Sequence, residues 1–220
     1  SCSSMFHSIS KTAMTSTFIN KLPLSQLSKD MDQLFTDFEY LGLFDEYGSC
    51  CLFINQLLLQ SLRQKNYQVQ LISCYALMEE QNQRFFLGHK DYIKPGQLAG
   101  HVTCLVNQAF LVDFGLGNLH KCLATAPQAI AFQAQASDHL LGELYLSNLA
   151  KIAWHPIDDI PNLAFETARQ QPKLDAVFQQ LHAFQKNRLK FAIHRALFKK
   201  RKKSTTPKLV PRTNFDETYF

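Results

Sequence analysis

Residues 48–55, Gly-Ser-Cys-Cys-Leu-Phe-Ile-Asn, place two adjacent cysteines where a turn enters an apolar segment. Gly48 and Ser49 favour a turn, Ser49 is a candidate N-cap, and the pattern predicts a helix from about Cys51 to Gln64. Unpaired amides and the helix dipole at such a start favour a thiolate. A cysteine at an apolar helix start is usually just a small buried residue, so a catalytic interpretation needs partners elsewhere in the chain.

A candidate base and a candidate carboxylate lie on a predicted hairpin. His101 opens a strand over residues 101–106, and Asp113 lies near the end of a second strand over 109–114. Asn107 and Gln108 separate the two strands. In a hairpin the start of one strand lies opposite the end of the next, so we expect His101 close to Asp113. A cysteine, a histidine and an acid form the constellation of covalent acyl transfer, although an Asp before Gly is also a common turn residue.

The remaining pattern predicts an α+β protein, because helices come first, strands follow and helices return. We predict a helix over residues 24–43, a turn over 45–49, paired strands over 69–77 and 84–87, and a helical zone over about 173–202. The corresponding regions are a helical domain over 1–66 carrying the cysteine, a β domain over 67–150 carrying the histidine and aspartate, and a C-terminal region over 151–220. We therefore expect an N-terminal helical bundle followed by an antiparallel, barrel-like sheet.

Composition is that of a globular protein, with 46% hydrophobic and 19% charged residues. Residues 1–11 lack a charged segment followed by an apolar one, so we expect no secretory signal. The six cysteines form no regular framework and no Cys-x-x-Cys pair, so we expect reduced thiols, no structural zinc and a cytoplasmic location. His120, His139 and His155 show no metal-ligand spacing, and no metal site is predicted.

The net charge of +5 belongs to one segment near the end of the chain. Nine of the 23 Lys and Arg lie from Lys186 to Lys203, and the other 14 are outnumbered by the 18 Asp and Glu of the chain. This basic segment could bind coenzyme A phosphates, an anionic membrane surface or nucleic acid. We favour a solvated helix with one packed face, and expect no nucleic-acid partner and no membrane contact.

Three blocks of the sequence resemble the arylamine N-acetyltransferases. Residues 48–55 resemble the family motif Arg-Gly-Gly-x-Cys-x-x-x-Asn, with Cys51 and Asn55 in register. Residues 101–106 resemble the strand that opens with the family's histidine, and residues 112–117, Val-Asp-Phe-Gly-Leu-Gly, are similar to its Val-Asp-x-Gly-Phe-Gly. Residues 18–20, Phe-Ile-Asn, are a fainter match to Pro-Phe-Glu-Asn. The register selects Cys51 over Cys50, because only Cys51 stands four residues before Asn55.

The resemblance implies a fold, a reaction and a set of site residues. The implied fold has a cysteine-proteinase-like core with a reduced α/β C-terminal lid. The implied triad is Cys51, His101 and Asp113, which would pass an acetyl group from acetyl-CoA, as co-substrate, to an arylamine, hydrazine or similar amine by a ping-pong mechanism. The implied substrate and cofactor contacts are Phe18, Gly115, Leu116 and Gly117. A tight strand-to-loop turn is an equally good interpretation of the two glycines.

Several positions depart from the family pattern. Tyr47 replaces the motif's arginine, Ser49 replaces its second glycine, and Leu116 replaces the aromatic residue of Gly-Phe-Gly. Two alternatives therefore stay open. One is an amidase, peptidase or amide synthase of related fold, which uses the same Cys-His-acid chemistry. The other is an inactive family member that binds a partner.

Overall fold

A computed structural model describes residues 17–188 of the chain, except positions 94, 96, 124 and 136. The described part has an α+β architecture, which confirms the predicted class. Its helices are α1 (Gln26–Tyr40), α2 (Leu43–Tyr47), α3 (Cys51–Gln64), α4 (Gly117–Cys122) and α5 (Leu163–Lys186). Its strands are β1 (Phe18–Asn20), β2 (Val69–Glu80), β3 (Gln83–Leu87), β4 (His101–Val106), β5 (Phe110–Asp113), β6 (Ala129–Gln133), β7 (Gly142–Ser147) and β8 (Ala150–Pro156). Residues 17–181 belong to one compact unit and 182–188 to a second, so both predicted domain boundaries fall inside the first unit.

The segment before the two cysteines folds as two helices. The helix predicted over 24–43 is α1, which ends at Tyr40, but the turn predicted over 45–49 was wrong. The Ser25 hydroxyl caps α1 by accepting a hydrogen bond from the Ser28 amide at 3.2 Å. Gly42 has a left-handed φ of 72°, which ends the first helical path and allows α2 to start at Leu43. The short helix α2 therefore occupies most of the predicted turn.

An aromatic cluster connects the first two helices to the hairpin. The rings of Phe18, Phe35, Phe38 and Phe44 surround Phe114, and the Phe38 and Phe114 centroids are 5.3 Å apart. Edge-to-face pairs of this kind add to the stabilisation gained by burying the rings. Because Phe114 directly follows Asp113, this packing fixes the position of the carboxylate.

The structure corrects the predicted N-cap of α3. Cys50 occupies that position and Ser49 precedes it. The Ser49 side chain does not cap the helix because its hydroxyl accepts a hydrogen bond from Lys121 at 2.6 Å, while its carbonyl accepts one from Asn118 at 3.1 Å. The predicted bounds of α3, Cys51 to Gln64, are confirmed.

The strands form one curled, eight-stranded sheet, a half-barrel with the order β1-β6-β5-β4-β2-β8-β7 and β3 paired to β2. Val69–Cys74 of the long strand β2 pair with β4, whereas Cys74–Glu80 pair with β8. The predicted pairing of the strands over 69–77 and 84–87 is confirmed. The pairs are antiparallel, except that β1 runs parallel to β6.

The hairpin of β4 and β5 turns at Asn107 and Gln108, which have φ angles of 51° and 57°. Its register places Cys104 opposite Val112. Extending that register places Thr103, rather than His101, opposite Asp113. His101 and Asp113 are therefore diagonal neighbours on one face of the hairpin, a separation that long side chains still bridge.

The last helix begins earlier than predicted. α5 starts at Leu163, ten positions before residue 173, and passes through Pro172. A proline inside a helix costs about 3 kcal/mol, and burial of Leu174, Val177 and Leu181 at about 1.5–3 kcal/mol each outweighs that cost. The predicted helical zone beyond residue 188, with most of the basic segment, lies outside the described residues. Over the described ranges, no helix has the length and apolar character needed to span a membrane.

Candidate active site

The predicted triad residues lie together where α3 begins and the hairpin of β4 and β5 opens. His101 Nε2 lies 2.6 Å from Asp113 Oδ2, and both side chains are fully buried. The half-buried Cys51 is the first residue of α3. The helix start and the hairpin are 50 residues apart in sequence, and packing of α3 on β4 brings them together. One contact of that packing is the Cys104 thiol, which donates to the Asn55 carbonyl at 3.3 Å.

The Asp113 carboxylate has two donors on each oxygen. Oδ1 accepts hydrogen bonds from Asn55 Nδ2 at 3.0 Å and from the Gly115 amide at 2.8 Å. Oδ2 accepts hydrogen bonds from His101 and from the indole N–H of Trp154 at 2.9 Å. Burial alone would raise the pKa of Asp113, but the His101 charge and these hydrogen bonds hold the pKa below its usual value. Asp113 is therefore an oriented carboxylate anion.

His101 is the buried cation that faces this anion. Burial acts to lower the pKa of the imidazole, but the charges of Asp113 and Cys51 outweigh it and raise the pKa to about 10. The other ring nitrogen, Nδ1, is buried and lacks a partner at ordinary hydrogen-bond geometry among the described residues, while the Cys51 side chain is near enough to raise the pKa of the imidazole. Because Nε2 is held by Asp113, Nδ1 is the atom left to exchange a proton with the neighbouring Cys51 thiol.

Asn55 joins the helix to the hairpin. Its side-chain amide donates to Asp113 and to the Val102 carbonyl at 2.9 Å, and its oxygen accepts from the Phe114 amide at 2.9 Å. The residue is fully buried, so every polar atom of the amide group needs such partners. In the sequence, Asn55 served only to align Cys51 with the family motif. The structure shows in addition that its side chain binds the Asp113 carboxylate.

The two predicted glycines pack against the turn that carries the cysteine. A Cβ atom at Gly115 would lie 2.8 Å from Cα and Cβ of Cys51. One at Gly117 would lie 2.4 Å from the Gly48 carbonyl oxygen, to which the Gly117 amide donates at 3.1 Å. Close approach of two backbone segments thus requires glycine at both positions. Of the two, Gly115 also lines the cleft above Cys51.

Phe18 packs against the core and is partly buried, and Leu116 lies within the core. Phe18 stacks on Phe35 with ring centroids 4.9 Å apart, and Leu116 is fully buried in an apolar cluster that includes Trp154. Four residues were predicted to contact substrate or cofactor, and of these Gly115 alone is among the described residues that line the cleft. Family resemblance located these positions along the chain, but the direction of each side chain depends on packing.

An open cleft of about 1230 Å³ leads to Cys51 and His101. Its apolar lining comes mainly from β3 and the loop after it and includes Phe85, Phe86, Leu87, Tyr92, Ile93 and Leu98. Besides His101, the described lining residues include three cations, Arg84, Lys121 and Arg169, and one acid, Glu166. A smaller cavity of about 380 Å³, bordered by Gln56, Gln60 and Arg63, does not include the triad.

The adjacent cysteines have different surroundings. Cys50 is exposed, and the Gln170 amide lies 3.8 Å from its sulfur. Although the residue as a whole is exposed, protein atoms packed around its sulfur partly desolvate the thiol and raise the pKa of Cys50. The ring of His101 interacts instead with Cys51. This placement agrees with the register argument, which selected the second cysteine.

Trp154 is the site residue that the sequence reasoning missed. It lies on β8, 41 residues after Asp113, and no motif spacing connects the two. The signal available in the sequence is a single tryptophan within an apolar strand, which is typical of a core residue. Only the curl of the sheet, in which β8 pairs with β2 next to β4, brings its N–H to the carboxylate.

The arrangement contains a thiol, an imidazole and a carboxylate, the types of group that covalent acyl transfer uses. The thiol lies at the start of α3, where the first backbone amides of a helix have no carbonyl partner within that helix. Over the described residues, no cluster of three or more His, Cys, Asp or Glu side chains is placed to hold a metal ion. Comparisons with protein-family models, with curated proteins and with solved structures find no match to this chain.

Proposed function

We propose that this chain is a coenzyme A-dependent N-acyltransferase that moves an acetyl group from acetyl-CoA to an arylamine, hydrazine or similar amine. The observation that supports this proposal most directly is the position of Cys51, which lines an open cleft beside the buried His101–Asp113 pair. Asp113 occupies Nε2 of the imidazole, so Nδ1 is left to interact with Cys51. The resemblance of the three sequence blocks to the arylamine N-acetyltransferases supports the choice of donor. The joining of the α3 start to the hairpin supports a cysteine-proteinase-like core.

The proposed reaction has two half-reactions, acylation of Cys51 and transfer of the acyl group to the amine. In the first, the Cys51 sulfur attacks the thioester carbonyl, a tetrahedral oxyanion forms, and the carbon–sulfur bond to coenzyme A breaks. His101 gives its proton to the departing coenzyme A thiolate. In the second, the amine nitrogen attacks the thioester on Cys51, His101 takes the amine proton, and the Cys51 sulfur leaves. Asp113 holds the ring orientation through both steps.

The charges of the cleft fit a donor that carries phosphates. Arg84 pairs with Glu79 at 3.1 Å, and Arg169 pairs with Glu166. Lys121 contacts the neutral Ser49 hydroxyl and, among the described residues, no carboxylate within ion-pair distance. A lysine with its charge uncompensated beside the nucleophile turn favours an anionic ligand.

The thiols at 50, 51, 74 and 104 are free, which fits a reducing compartment such as the proposed cytoplasm.

The first experiment is incubation with acetyl-CoA, followed by intact-mass and peptide analysis. We expect one added acetyl group on Cys51, none in Cys51→Ala, and an unchanged adduct in Cys50→Ser. Addition of an arylamine or hydrazine should remove the adduct and yield the acetylated amine. Failure of every short-chain acyl-CoA to label Cys51 would refute the proposal. Loss of the adduct to water at a rate that amines do not change would indicate a hydrolase instead.

A further inference from the structure

Trp154 contacts the triad through a single polar atom. Its side chain is fully buried, and its indole N–H donates to Asp113 Oδ2 at 2.9 Å. The same oxygen accepts the hydrogen bond from His101 at 2.6 Å. An indole N–H only donates, and a hydrogen bond to a charged acceptor is stronger than one to a neutral acceptor. This contact therefore stabilises the carboxylate anion more than a protonated Asp113.

We propose that Trp154 is a positioning residue of the triad, which holds Asp113 in the orientation that aligns His101 with Cys51. Each carboxylate oxygen has two donors, so rotation of the carboxylate would break hydrogen bonds on both sides. Without the indole N–H, Oδ2 would keep only the histidine as a donor. A buried charge that loses a hydrogen bond is strongly destabilised. The inference rests on the proposed function, because it takes this triad as the reacting group.

The surrounding groups allow the effect to be measured. The other titratable side chains whose charges act on the Asp113–His101 pair are Cys51 on α3, Cys74 on β2 and Cys104 on β4. Burial raises the pKa of the Cys74 and Cys104 thiols, so both stay neutral across the neutral range. A change on the acid side of a pH profile therefore reports on the Asp113–His101 pair and its cysteine.

The test is the rate of Cys51 alkylation by iodoacetamide as a function of pH in Trp154→Phe. The phenyl ring retains packing on Phe132, whose ring centroid is 5.3 Å from that of Trp154, but removes the N–H donor. We expect alkylation about tenfold slower at neutral pH, because a hydrogen bond to a charged group is lost. The acid limb should move to higher pH, because Asp113 loses a donor that stabilises its anion.

Phe132→Leu is the matched control, since it disturbs the same packing and leaves the N–H in place. We expect it to lower thermal stability without moving the acid limb. If both variants move the limb equally, or if Trp154→Phe keeps the wild-type profile, the positioning role is refuted. Alkylation needs no acyl donor, so this test can fail independently of the acetyl-transfer experiment.

A second measurement needs no change at Trp154. It is the only tryptophan in the chain, so its fluorescence reports the triad directly. We expect the emission of the wild-type protein to change with pH as the Asp113–His101 pair titrates, and the midpoint of this change to move in His101→Gln, because burial then raises the pKa of Asp113 without the opposing charge of His101. An emission that titrates identically in His101→Gln would overturn the proposal.

Discussion

Replacing Gly115 with alanine tests whether the packing of the hairpin on α3 sets the geometry of Cys51. The new Cβ would lie 2.8 Å from Asn55 Nδ2 and from Cα and Cβ of Cys51, whereas ordinary contacts begin at 3.4 Å. One of the two segments must therefore move by about 0.6 Å. The Cys51 contacts are with a helix start rather than with the end of a flexible side chain. We expect such overpacking to lower the free energy of unfolding by about 1–3 kcal/mol.

The same movement should slow the chemistry. A misplacement of 1 Å can cost about 100-fold in rate, so a shift of about 0.6 Å predicts a loss of about tenfold. The Gly115 amide also donates to Asp113 at 2.8 Å, and that hydrogen bond would be strained. The assays are urea unfolding and the rate constant for alkylation of Cys51 by iodoacetamide, measured at one neutral pH.

Gly42→Ala serves as the control for a general loss of stability. Gly42 has a φ of 72° and open space around its Cα, so alanine there introduces backbone strain of about 1–2 kcal/mol at the end of α1. We expect this variant to unfold more easily while Cys51 reacts at the wild-type rate. A wild-type alkylation rate in folded Gly115→Ala would refute the inference that this glycine positions the nucleophile.

Substitutions of His101, Lys121 and Cys50 give further predictions. His101→Gln should slow Cys51 alkylation at neutral pH by at least about 100-fold. The pKa of His101 is raised from 6.5 to about 10, so its contribution to stability is complete below pH 6.5 and is lost as the pH rises through about 10. Urea titrations should therefore show that the difference in unfolding free energy between wild type and His101→Gln shrinks over that range. Lys121→Met should raise KM for acetyl-CoA by up to about fivefold and leave acetylation by p-nitrophenyl acetate, which has no phosphate, unchanged. Cys50→Ser should retain acetylation of Cys51 in the mass assay, and a loss equal to that of Cys51→Ala would contradict the choice of nucleophile.

The fold class and the hairpin were predictable because their signals are local. The polar residues Asn107 and Gln108 mark the turn, and short runs of branched and other apolar residues over 101–106 and 110–113 mark the strands. The end of α1 was predicted a few residues too late because an apolar pattern continues across Gly42, and the left-handed backbone of that residue shows where the helix ends. The helix α5 was predicted to start ten residues too late, and Pro172, a residue that helix interiors disfavour, stands directly before the predicted start.

The site was predictable to the extent that its members follow one another closely in sequence. His101 and Asp113 belong to one hairpin, and Cys51 and Asn55 belong to one helix turn. The contacts of Phe18 and Leu116 depend on which way each side chain points, and no motif encodes that direction. Trp154 reaches the carboxylate only through the curl of the sheet, so its contact is a property of the tertiary structure.

The two adjacent cysteines differ both in their position relative to the start of α3 and in the side chains that they contact. A helix start has room for one sulfur facing the sheet, because the N-cap residue leaves the helical path and its side chain points elsewhere. Cys50 is that N-cap, and its sulfur contacts Gln170 of α5. Cys51 follows as the first helical residue, four positions before Asn55, so both lie on the same face of α3. Asn55 binds the Asp113 carboxylate, and Asp113 binds His101. The same helical spacing that aligns the motif therefore brings Cys51, and not Cys50, to the imidazole.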